Sequence, residues 1–67
     1  MGNILIDIYD IVTARTGFQG RMRLAVRTGV PRVKAQEIED KPEIVEKFKK
    51  EASEILKTDI TPLMKGN

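Results

Sequence analysis

The stretch Asp40-Lys41-Pro42-Glu43-Ile44-Val45-Glu46-Lys47-Phe48-Lys49-Lys50-Glu51-Ala52-Ser53-Glu54-Ile55-Leu56-Lys57 decides the fold class. Ile44, Val45, Phe48, Ala52, Ile55 and Leu56 recur at spacings of three and four, which draws one apolar stripe along a helix. Asp40 followed three residues on by Glu43 reads as a capping box, with Pro42 in the first turn, where no helical hydrogen bond is lost. Glu43–Lys47, Glu46–Lys50 and Glu54–Lys57 set opposite charges one helical turn apart. The polar face therefore reads as solvated, and Ser53 with it.

Upstream, residues 3 to 16 carry Ile4, Leu5, Ile8, Tyr9, Ile11 and Val12 on a second broad stripe, with Asp7, Asp10, Thr13 and Ala14 opposite. The isoleucines favour extended structure, but strict alternation breaks at Leu5 and at Ile11-Val12, so helix is the reading. Gly17 is its expected stop and 17–20 a short connection, with Phe18 as a core plug. A short helix is expected from Arg21 to Thr28, with Met22, Ala25 and Val26 on one face with Gly29, and Arg23 and Arg27 on a stripe elsewhere. Gly29 ends it, and Pro31 opens a third helix to Glu39, with Ala35 and Ile38 on one side. Thr61-Pro62 turns the tail, Ile60 and Leu63 pack back, and 64–67 are expected to be flexible. The fold class is all-α: a single domain over 1–67, a small bundle of about four short helices.

The 67 residues hold no cysteine and no histidine. Disulfides are excluded, the usual zinc ligands are missing, and a hydroxyl nucleophile lacks its commonest base. No metal, no cofactor and no catalytic residue is expected, and a domain this short offers little room for a dry pocket. With neither disulfide nor metal to add stability, a partner subunit is a physical expectation, in the first place a homodimer. Asp7 and Asp10 interrupt the apolar run at Ile4–Val12, so neither a signal core nor a membrane span is read there. The absence of cysteine makes a cytoplasmic location the default.

The net charge of +2 says less than its distribution. No acidic residue occurs from Ile11 through Gln36, and that window holds all the arginines (Arg15, Arg21, Arg23, Arg27, Arg32) together with Lys34. Arginine offers a planar fork of donors matched to phosphate and to guanine edges, so the window is a candidate anion-binding face.

Within it, Leu24-Ala25-Val26-Arg27-Thr28-Gly29-Val30-Pro31-Arg32-Val33-Lys34-Ala35-Gln36-Glu37-Ile38 resembles the helix-turn-helix segment of phage-repressor and Cro-like proteins. Ala25 is the small residue where two helices cross, Gly29 permits the left-handed turn, and Val30 tucks beneath it. Ala35 and Ile38 are the inward positions of the second helix, although Ala35 stands where the family has valine or isoleucine. Glu37, Glu39 and Asp40 close that helix with negative charge. The resemblance covers about fifteen residues. It implies a helix-turn-helix over 21–39 that binds duplex DNA. Arg32, Val33 and Gln36 would reach base edges in the major groove, and Arg21, Arg23, Arg27 and Lys34 the phosphates.

The alternative is a non-enzymatic, self-associating helical interaction module, an adapter or small subunit. Its stripes exceed what one chain hides, Ile6, Tyr9 and Leu63 meet a second copy, and the arginines meet a partner protein with an acidic surface.

Overall fold

Asn3 starts the first helix: its side-chain oxygen accepts from the backbone N–H of Leu5 (2.8 Å) and of Ile6 (3.3 Å). The computed structural model describes residues 3–64. They form α1 (Ile4–Thr28), α2 (Arg32–Ala35), α3 (Pro42–Leu56) and α4 (Thr61–Met64), with no strand among the described residues. The small all-α fold expected from the sequence is the one observed. Of the tail expected at 64–67, Met64 is the last residue of α4, and 65–67 lie outside the described residues.

α1 is broken at Gly17, whose φ of 75° and ψ of −162° are non-helical. That conformation is essentially restricted to glycine, so the residue divides α1 into a first limb, 4–16, and a second limb, 18–28. The four-residue connection expected at 17–20 is thus a single-residue break. α3 packs along α1, and α2 and α4 also rest on α1.

The core gathers Leu5, Ile8, Tyr9, Val12 and Leu24 of α1, Ala35 of α2, Phe48 and Ala52 of α3, and Ile60. The Tyr9 and Phe48 rings meet edge to face, with centroids 5.9 Å apart. Ile44, Val45, Ile55 and Leu56 pack against this cluster, so the stripe of α3 lies where its spacing puts it.

The phase of the second limb differs from expectation. Its inward face is Gly20, Leu24 and Thr28, all buried. A Cβ at Gly20 would run into Thr16 and come within 3.2 Å of Val12, so only glycine lets the second limb approach the first there. Phe18, expected as a core plug, lies on the solvent side, and so do Met22 and Val26, from the apolar face expected to include Ala25 and Gly29.

The third helix is shorter than expected. α2 ends at Ala35, and 36–41 run as a turn and an extended segment rather than continuing to Glu39. Two carbonyls of this segment are bonded from the start of α1 instead. The Asn3 amide donates to the Ala35 carbonyl at 2.7 Å and to that of Ile38 at 3.4 Å. The capping box at 40–43 does not form either. Lys41 is the N-cap of α3, without a side-chain bond, and Asp40 instead accepts from the Ile4 N–H at 3.0 Å. Its negative charge thereby sits at the N-terminus of α1, where the helix dipole favours it.

Two expectations about α3's polar face are also corrected. Ser53 is not simply solvated, because its Oγ accepts from the Ile60 N–H at 3.0 Å and fastens the loop to α4. Within α3, the pair that forms among the described residues is Lys49–Glu46 at 3.6 Å, while Glu54 turns to Arg27 on α1.

Candidate interaction surface

Gly17 decides which way the second limb faces. Burying Gly20, Leu24 and Thr28 leaves the opposite side with Phe18, Met22 and Val26, one turn apart on a single ridge. They are 66%, 59% and 82% exposed, and Val33 on α2 is 67% exposed. The bulkier apolar surface of this limb therefore faces water, and the slimmer one faces the core. Such a limb is costly in water unless something covers it.

The ridge is flanked on both sides. A shallow trough on one side is lined by Phe18, Met22 and Ala25 of the second limb, Arg21, and Pro31, Arg32 and Val33 of the following segment, with Tyr9 beneath. On the other side, Gln19, Arg23 and Arg27 border Met22 and Val26. The Arg21 guanidinium lies 5.2 Å from the centre of the Phe18 ring, a cation–π contact that holds an exposed aromatic in place.

Compared with protein-family models, with curated proteins and with solved structures, the chain finds no significant match. Geometry and charge carry the functional reading.

The arginine window is not an unbroken cationic face. Arg27 bonds Glu51 and Glu54 at 2.8 Å each, and these carboxylates hold its guanidinium above its ordinary pKa. Arg32 meets Asp10 at 3.1 Å. Arg15, Arg21, Arg23 and Lys34 have no ion pair among the described residues. Of the seven residues expected to contact DNA, Arg21, Arg32 and Val33 share the trough, while Arg23 and Arg27 flank the ridge. Lys34 and Gln36 are exposed but belong to neither side, and Gln36 is already the C-cap of α2.

The surface expected to meet a second copy is corrected in one member. Tyr9 is fully buried, its hydroxyl donating to the Val30 carbonyl, because its ring is needed against Phe48. Ile6 and Leu63 are half-buried and pack against the core. Among the described residues no group of three or more carboxylates is placed to hold a metal ion, and no helix is long and apolar enough to cross a membrane.

Sequence reasoning missed Phe18, Met22 and Val26 as surface residues. The signal that finds them is the slim ladder Gly20–Leu24–Thr28 at four-residue spacing. Small residues at both ends of such a ladder allow close helix approach, which the bulkier ladder on the opposite face does not.

Proposed function

We propose that this chain is a non-enzymatic protein-interaction module that presents a cationic, apolar helix face to a partner protein with an acidic surface. The observation that carries the reading is the solvent-facing ridge Phe18–Met22–Val26, bordered by Arg21 and Arg23. Interfaces are built from an apolar centre and a polar rim, and arginine is enriched in them. The charge of that rim selects the partner. An isologous homodimer through this ridge would set the cationic border of one copy, Arg21 and Arg23, against that of the other, and like charges opposed across an interface cost several kcal/mol. An acidic partner removes that penalty. The same arginines would speed its encounter.

A second reading, duplex DNA, draws on the exposure of Arg23, Val33, Lys34 and Gln36 around the Gly29 turn. It is the weaker of the two. A recognition helix of four residues presents about one turn to the major groove, and Arg32, the residue suited to guanine, is committed to Asp10.

Site-specific photocrosslinking tests the first reading. A photoreactive residue at Met22, compared with one at the exposed Lys47 of α3, should capture an acidic protein from the source cells only at position 22. The adduct should be lost on Arg23→Glu. The same adducts from both positions, or self-adducts only, would overturn it. Salt-sensitive binding of duplex DNA that is abolished by Arg23→Ala would favour the second reading.

A further inference from the structure

We infer that the occupant of this surface is an acidic amphipathic helix, laid apolar side down in the trough between the Phe18–Met22–Val26 ridge and the Pro31–Val33 segment. The inference rests on the interaction-module reading and deepens it by naming the shape of the ligand.

The trough walls are a helical limb, whose N–H and C=O groups are largely bonded within the helix, and a short helical turn, whose uncapped start leaves two N–H groups, those of Arg32 and Val33, without a partner among the described residues. Among the described residues there is no strand, hence no open edge. An extended peptide pressed into the trough would find at most those two donors and would bury its other backbone polar groups unpaired, at a cost of roughly 1–3 kcal/mol for each group left unsatisfied. A helix arrives with those groups bonded internally. That difference, repeated over several residues, decides between the two shapes.

The ridge itself also favours a helix. Phe18, Met22 and Val26 follow the four-residue row of a helix, and a second helix packs most readily with its own four-residue row in the groove beside such a ridge. Ala25, half-buried at the floor of the trough, has a side chain small enough for close approach.

Size limits the occupant too. The exposed parts of Phe18, Met22, Ala25, Val26 and Val33 together amount to a few hundred Å² on a molecule with 4509 Å² of accessible surface. A stable protein–protein interface needs about 800 Å² from each partner, so this face suits a single helix bound in the micromolar range better than a globular subunit. Charge fixes the rest. Arg21 borders the trough with no ion pair among the described residues, and Arg23, equally unpaired there, lies on the far side of the ridge, so acidic residues on the ridge side of the incoming stripe meet an unneutralised cationic border.

The test uses three synthetic peptides about 16 residues long, long enough to form a helix. All carry the same number of leucines. The first has glutamates and leucines in a three-four repeat, the second the same composition with leucines alternating, and the third is the first with lysine for every glutamate. Each is titrated into isotope-labelled protein and followed by amide shifts and by circular dichroism of the peptide. The first peptide should bind in the micromolar range, gain helix, and shift the amides of residues 18–26, 32 and 33. Met22→Asp should weaken it at least about tenfold. Equal or tighter binding of the alternating peptide would overturn the helical occupant while leaving an acidic partner intact. Equal binding of the lysine peptide would overturn the acidic reading itself. No binding of the first peptide at millimolar concentration, or shifts confined to α3, would overturn the inference.

Discussion

The Tyr9 hydroxyl donates to the Val30 carbonyl and so ties the first limb of α1 to the chain as it leaves the second. Thr28 supports the same junction, its hydroxyl bonding the Leu24 carbonyl at 2.7 Å and accepting from the Val30 N–H at 3.2 Å. The direction of the second limb, and with it the exposure of the ridge, therefore depends on a buried polar contact.

Tyr9→Phe keeps the ring against Phe48 but leaves the Val30 carbonyl short of its main donor. Stability should fall by about 1–2 kcal/mol, measured by urea unfolding. Burial pushes the Tyr9 phenol above its ordinary pKa of 10.0, against the opposing pull of the Thr28 hydroxyl and the Arg21 charge. The sign follows. The folded chain holds the proton longer than the unfolded one, so this stabilisation is full below pH 10 and is lost as pH rises through the folded value. Tyr9 is the only tyrosine and tryptophan is absent, so phenolate absorbance reads it directly. A titration midpoint at or below 10 in the folded protein would contradict the burial.

Asn3 links the two ends of the site's scaffold. As N-cap it serves Leu5 and Ile6, and as donor it holds the Ala35 carbonyl that closes α2. Asn3→Ala should cost about 2–3 kcal/mol, the sum of a lost cap and a lost hydrogen bond. Asn3→Asp separates the two roles. It keeps the cap but turns an acceptor toward the Ala35 carbonyl, so thermal unfolding should place it between wild type and alanine. An Asn3→Asp variant as stable as wild type would show that the amide donor contributes nothing.

Gly17 and Gly29 both have a φ of 75°, and a Cβ at either would meet nothing within 4 Å. Any loss on Gly17→Ala is therefore conformational, about 1–3 kcal/mol, with Gly29→Ala nearer 1–2 kcal/mol. Replacing each by D-alanine in a synthetic chain should restore stability, since D-residues favour positive φ. Lys57 is the converse case. It ends α3 at a φ of 60°, so Lys57→Gly should raise stability by up to about 1 kcal/mol. Thermal melts of the set decide, and a D-alanine variant no better than L-alanine would sink the argument.

How much of this was legible in the sequence depended on whether one apolar stripe or two occupied a helix. α3 carries one, so its phase and its core residues followed from spacing alone. The second limb of α1 carries two, on opposite faces. Counting apolar bulk selects Met22 and Val26, whereas packing selects Leu24, because Gly20 and Thr28 beside it permit close approach. α2 was misread for another reason. Its start at Pro31 has a local signal, but its end is set by Asn3, which takes the Ala35 and Ile38 carbonyls from more than thirty positions away. Local propensity cannot see such a partner. The arginine window was visible as composition, yet its partial neutralisation by Asp10, Glu51 and Glu54 is a tertiary fact.

The ridge makes the sharpest contrast in substitution. Leu24→Ala empties a fully buried position and should cost about 2–5 kcal/mol. Val26→Asp, two residues on, alters a side chain that is 82% exposed and should change stability by no more than about 0.5 kcal/mol. Met22→Asp should behave likewise. If either aspartate variant is as damaging as Leu24→Ala, the ridge is covered in the folded chain and cannot receive a partner. If both fold normally while losing the acidic peptide, their apolar side chains serve binding rather than stability. The two outcomes are separable because folding is read by thermal melts and binding by titration on the same samples.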